Sequence, residues 1–74
     1  SVDVEGYKSR RHDKVISMAH SAASRAVRQH STVSLPPMSA YERRLVHIAL
    51  RENKKVDTHS EGSDPERRVV ITVA

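Results

Sequence analysis

The chain reads as a small α+β domain: a two-layer sandwich in which a three-stranded sheet carries two helices on one face, in the order helix, strand, helix, strand, strand. Three observations predict it. An Ala-rich run without Gly or Pro fills residues 7–30, a second amphipathic run opens at a capping sequence just after Pro36-Pro37, and three short β-type runs are set apart by turn residues. A length of 74 residues leaves room for one domain, with a small core and no deep pocket.

The first helix is expected over residues 7–30. Stepping residues about 100° apart puts Val15, Ile16, Met18, Ala19, Ala22, Ala23, Ala26 and Val27 on one half of its cylinder, and Arg10, Asp13, Lys14, Ser17, Ser21, Ser24, Arg25 and Arg28 on the other. Its many alanines allow a close approach to whatever it covers. Before it, Val2-Asp3-Val4-Glu5 alternates like the end of a strand, so residues 1–7 are expected to be a linker or strand end and residues 8–74 the domain proper.

Residues 31–35 carry Val33 and Leu35 at strand spacing and stop at Pro36-Pro37. The second helix then starts at Ser39-Ala40-Tyr41-Glu42, a capping box in which Ser39 caps the N3 amide and Glu42 reaches back, and is expected to run to about Asn53. Residues 56–60 and 67–73 are strand candidates, the second with Val69, Ile71 and Val73 on one face. The Gly, Asp and Pro of residues 61–66 join the two as a hairpin, in a sheet that is antiparallel or mixed.

Thirteen Lys and Arg, nine of them Arg, against nine Asp and Glu give a formal charge of +4. This favours an anionic partner, and Arg is the side chain whose planar fork best matches phosphate. There is no cysteine, hence no disulfide and no thiolate zinc site, and a reducing, cytoplasmic setting is expected. No stretch approaches the ~18 apolar residues of a membrane span.

The second helix carries the main functional signal. On the same angular reckoning Tyr41, Leu45, Val46, Ile48, Ala49 and Leu50 cover roughly 200° and are expected to form its core face, while Arg43, Arg44, His47 and Arg51 fill a solvent arc of roughly 100°. Arg43 and His47 stand one turn apart, where two cations repel unless an anion such as phosphate lies between them. Periodicity alone leaves a second reading open, in which these are solvated arginines paired with Glu42 or Glu52.

The stretch Leu35-Pro36-Pro37-Met38-Ser39-Ala40-Tyr41-Glu42-Arg43-Arg44-Leu45-Val46-His47-Ile48-Ala49-Leu50, followed by Ser60-Glu61-Gly62 and Arg67-Arg68-Val69-Val70-Ile71, resembles the R-3-H domain, named for an Arg and a His separated by three residues, here Arg43 and His47. The chain is similar in particular to the domain of bacterial Jag-type proteins, in which a KH domain precedes it and a segment like residues 2–11 joins the two. The resemblance covers essentially the whole chain. It implies binding of single-stranded RNA or DNA, a bacterial cytoplasmic setting, and a KH-like neighbour on the N-terminal side.

Lys55 and Arg68 are included as further candidate contacts, although Lys54 and Lys55 also suit a helix C-terminus and Arg67 and Arg68 are ordinary charges at a strand start. The cluster Lys8, Arg10, Arg11 and Lys14 is read as linker rather than as a second phosphate patch. No metal or cofactor is implied: the five His lack the two-His helical spacing of zinc proteases, and His12 and His30 project onto the apolar half of the first helix. No nucleophile elbow or Gly-rich phosphate loop suggests an enzyme. With Tyr7 and Tyr41 as the only aromatics, and Tyr41 expected in the core, base stacking should be weak. The alternative from another class is a protein-interaction module whose basic helix docks on an acidic or membrane-associated partner.

Overall fold

The computed structural model describes the backbone of residues 5–74 and the side chains of residues 11–74. The order of elements is α1 (Glu5–Gln29), β1 (Val33–Ser34), α2 (Ala40–Ala49), β2 (Val56–Glu61) and β3 (Arg68–Val73). The strand end read at Val2-Asp3-Val4 lies outside the described residues. Glu5, which closed that reading, is instead the first residue of α1, so residues 5–7 are helical.

All strand pairing is antiparallel, in the order β1-β3-β2. The central β3 is the most apolar run because it has a neighbour on both edges and a helical layer on one face. Val33 and Thr58 both register with Ile71, and Ser60 registers with Val69. Val69 and Ile71 are buried with Val15, Ala19, Ala22, Ala23 and Ala26 of α1 and Val46 and Leu50 of α2 in one core. The alanine face of α1 lets the helix lie against all three strands. Val70 is buried on the helix-free side of the sheet, where Ser34 and His59 are its register neighbours.

Two boundaries have clear causes. α1 closes in a paired-carbonyl C-terminal motif in which the amide of Ser31 donates to the carbonyl of Ala26 at 3.1 Å and that of His30 to Val27 at 3.4 Å. His30 takes the left-handed position, φ +50°, and is exposed; it does not lie on the apolar half of the helix as expected. β1 is shorter than the expected residues 31–35. After Ser34 only the Leu35 amide still bonds to β3, donating to Val69 O at 2.9 Å, because Pro36 and Pro37 have no N–H to continue the ladder.

The rotation of α2 departs most from expectation. The helix ends at Ala49 rather than near Asn53, leaving Arg51 in the following turn. Its buried line is Arg43, Val46 and Leu50, with Leu45 and Ala49 half-buried beside α1. Tyr41 and Ile48, expected in the core, are 57% and 48% exposed. The helix is therefore turned by roughly a quarter of a turn from the centre of its apolar arc. Arg43 moves from the expected solvent arc into the interior, and Tyr41 and Ile48 join Arg44 outside.

Candidate functional site

The site is built on α2, whose N-terminus is fixed twice. The Glu42 amide donates to Ser39 Oγ and the Ser39 amide to Glu42 Oε1, both at 3.3 Å, completing the expected capping box. The same carboxylate accepts two bonds from Arg11 of α1, from Nε at 2.6 Å and Nη2 at 3.1 Å. The Arg11 hydrogen bond is the main cause that holds the Glu42 carboxyl below its ordinary value, outweighing the opposing effect of burial. Arg11, assigned to the linker cluster, is thus a clamp between the two helices.

Arg43 lies beneath α2, only 9% exposed. Its Nη1 donates to the carbonyl of Met38 at 2.7 Å and lies 3.7 Å from Asp64 Oδ1 in the β2–β3 loop. One guanidinium therefore bonds to the entry of α2 and lies within ion-pair distance of the largely exposed Asp64 at the hairpin tip. Arg67 Nη1 holds that tip from the other side by donating to the Gly62 carbonyl at 2.7 Å. Gly62 has φ +91°, and a Cβ there would meet Arg68 Nη1 and the Glu66 carbonyl oxygen at 3.3 Å, so the turn needs glycine.

His47, one turn after Arg43, is half-buried on the side of α2 that faces β2. Its Nδ1 lies 2.7 Å from Thr58 Oγ1 and its Nε2 3.4 Å from Ser60 Oγ. Burial first, then the charge of Arg43 and the proximity of His59, lower its pKa below the ordinary 6.5. Its protonated form is thus disfavoured, and the ring is flanked by two hydroxyls that can each donate or accept. Among the described residues, no carboxylate pairs with the ring.

The candidate residues separate into three places. Arg44 and Arg51 are exposed and, among the described residues, no carboxylate pairs with either. They continue outward from His47, so Arg43, His47 and Arg44 form a sequence from buried to exposed. Lys55 precedes β2 and lines an open groove with His20, Ser24, Arg28 and Asn53. Arg68 is half-buried on the helix-free side of the sheet, its Nη2 4.0 Å from Glu61 Oε1. By helical spacing Arg44 neighbours His47 on α2, whereas Arg51 lies in the turn beyond the helix, Lys55 before β2 and Arg68 on the helix-free side of the sheet.

Sequence reading missed Thr58 and Ser60, although their alternation with the core residue Val56 was enough to turn them towards α2. It also missed the Arg11–Glu42 and Arg43–Asp64 pairs, which join residues far apart in sequence and leave no local pattern. Among the described residues, no group of three or more His, Asp or Glu converges to hold a metal ion. No described helix is long and apolar enough to cross a membrane.

Three bacterial proteins, each named RNA-binding protein KhpB, are similar to the chain. That of Clostridium symbiosum is 40% identical over 72 residues, 97% of this chain and 32% of its own length. That of Lactiplantibacillus plantarum is 39% identical over 72 residues, 97% of this chain and 22% of its own. The Bacillus subtilis protein is 28% identical over 74 residues and 36% of its length. The chain therefore spans about a third or less of the first two. The R-3-H domain family matches residues 13–73, which include the Arg43 and His47 pair and every strand of the sheet. The chain belongs to the R-3-H domain family.

Proposed function

We propose that the chain binds single-stranded nucleic acid, RNA foremost, with phosphates held by Arg44 and Arg51 beside the His47, Thr58 and Ser60 edge. The observation that carries this reading is that Arg44, exposed and without a carboxylate partner among the described residues, neighbours on α2 an imidazole flanked by two hydroxyls, with a second such arginine, Arg51, in the turn that follows. Two cationic forks supply charge, and the hydroxyl edge offers uncharged donors to phosphate or ribose oxygens. Arg43 serves by holding α2 against the hairpin tip, not by touching the strand. The RNA-binding names of the relatives agree with this choice of ligand.

Within the intact protein the domain works as one module of a longer, cytoplasmic RNA-binding chain, with a KH domain on its N-terminal side. A few phosphate contacts give modest affinity and little sequence discrimination, so specificity comes from the tethered neighbour acting by effective concentration. Titration with a short single-stranded RNA and a duplex of equal length, at low and at physiological salt, tests the reading. Single-strand preference is expected, with about two to four contacts and a slope of roughly −0.7 in log K against log salt for each. Affinity independent of salt, or tighter binding to the duplex, would overturn it.

A further inference from the structure

The quarter-turn of α2 leaves a strip on its outer side that the basic residues alone do not explain. Tyr41, Arg44 and Ile48 follow one another at helical spacings of three and four, and Arg51 comes next in the turn, so aromatic, cation, aliphatic and cation alternate along about 15 Å. Single exposed apolar residues are ordinary. Here two large ones, 57% and 48% exposed, flank an exposed arginine that no described carboxylate pairs. Tyr41 is also held in place: its ring stands nearly perpendicular to that of His12 of α1, at 86° and 6.3 Å between centroids. An exposed tyrosine offers a large flat surface, and with only two side-chain torsions it has little rotamer freedom to lose on binding.

We propose that Tyr41 is a stacking platform for a nucleobase of the bound strand, with Arg44 holding the adjoining phosphate and Ile48 packing against the base or sugar. The assignment rests on the phosphate-binding reading above and adds to it a contact with the bases. Charge complementarity selects the occupant. A strand of nucleic acid presents aromatic faces and anionic groups in alternation, matching the order of the strip, and every base has a π-face, so the contact is indifferent to sequence. It reverses the expectation of weak stacking, which had put Tyr41 in the core.

The test compares a short single-stranded RNA of mixed sequence with a ribose-phosphate strand of the same length and charge that lacks bases, against the unaltered chain, Tyr41→Ala and Tyr41→Phe. The unaltered chain and Tyr41→Phe should favour the base-bearing strand, on the order of tenfold. Tyr41→Ala should lose that preference while binding the abasic strand as before and unfolding at an unchanged midpoint. If Tyr41→Ala keeps the preference, or the unaltered chain shows none while binding both strands in a salt-dependent way, stacking at Tyr41 is overturned and the phosphate reading stands; the strip is then left to a protein partner. Failure to bind either strand overturns both.

Discussion

Arg43 Nη1 donates to the main-chain carbonyl of Met38 at 2.7 Å, so the arginine of the Arg-His pair closes the loop that leads into its own helix. Truncation would leave that buried carbonyl without its partner and free the hairpin tip at Asp64. Arg43→Ala should destabilise the fold by about 2–3 kcal/mol, the cost of a buried hydrogen bond to a charged group. Urea unfolding checks this. Arg43→Lys should recover only part of the loss, since an ammonium cannot reproduce the planar fork. An unchanged midpoint in Arg43→Ala would return the residue to the solvent face.

The rotation of α2 is tested by two truncations. Leu50 is buried and Ile48 half-exposed. Leu50→Ala should cost about 2–5 kcal/mol, as large-to-small changes in a core do. Ile48→Ala should stay within about 0.5 kcal/mol, as surface changes do. Reversal of this order in thermal or chemical unfolding would mean that the helix presents its apolar arc to the sheet.

His47 titrates below 6.5 in the free chain, because burial and then the Arg43 charge disfavour its protonated form. A depressed histidine contributes stability above its unfolded value and loses it as pH falls through the folded value. The unfolding midpoint should therefore drop more for the unaltered chain than for His47→Gln as pH falls from about 7 towards about 5. NMR of the ring proton gives the pKa directly; a value above 6.5 in the free chain would contradict the assignment. RNA affinity should be nearly flat from about pH 8 down to about pH 7 and strengthen only on further acidification, when an anion can pull a proton onto the ring.

Arg44→Ala and Arg51→Ala should each lower the salt slope of RNA binding by about one contact, roughly 0.7, without altering stability. Arg68→Ala, on the other side of the sheet, and Lys55→Ala, in its separate groove, should leave that slope unchanged. If Arg68→Ala matched Arg44→Ala, the strand would have to reach the helix-free face.

The order of elements, the capping box at Ser39 and Glu42, the core stripe of α1 and the antiparallel hairpin were legible in the sequence, because each is set by spacing or by backbone chemistry within a few residues. The Arg43 and His47 pair was legible for the same reason, and it lies within the residues that the R-3-H family matches. The side of α2 which meets the sheet could not be read this way. Six apolar residues cover more of α2 than its neighbours can bury, so periodicity bounds the rotation without fixing it. The rotation fits contacts made at a distance: Arg11 of α1 on Glu42, Arg43 on Met38 and the Asp64 loop, and His47 on Thr58 and Ser60 of β2. An arginine with a long apolar stem and an internal acceptor can lie inside, while Tyr41, met only at its edge by His12, stays largely in water. Sequence alone determined where the helix starts and the angular order of its residues; only the tertiary structure decided that it ends at Ala49, that Arg43 is buried and that Arg44 and Tyr41 face the solvent.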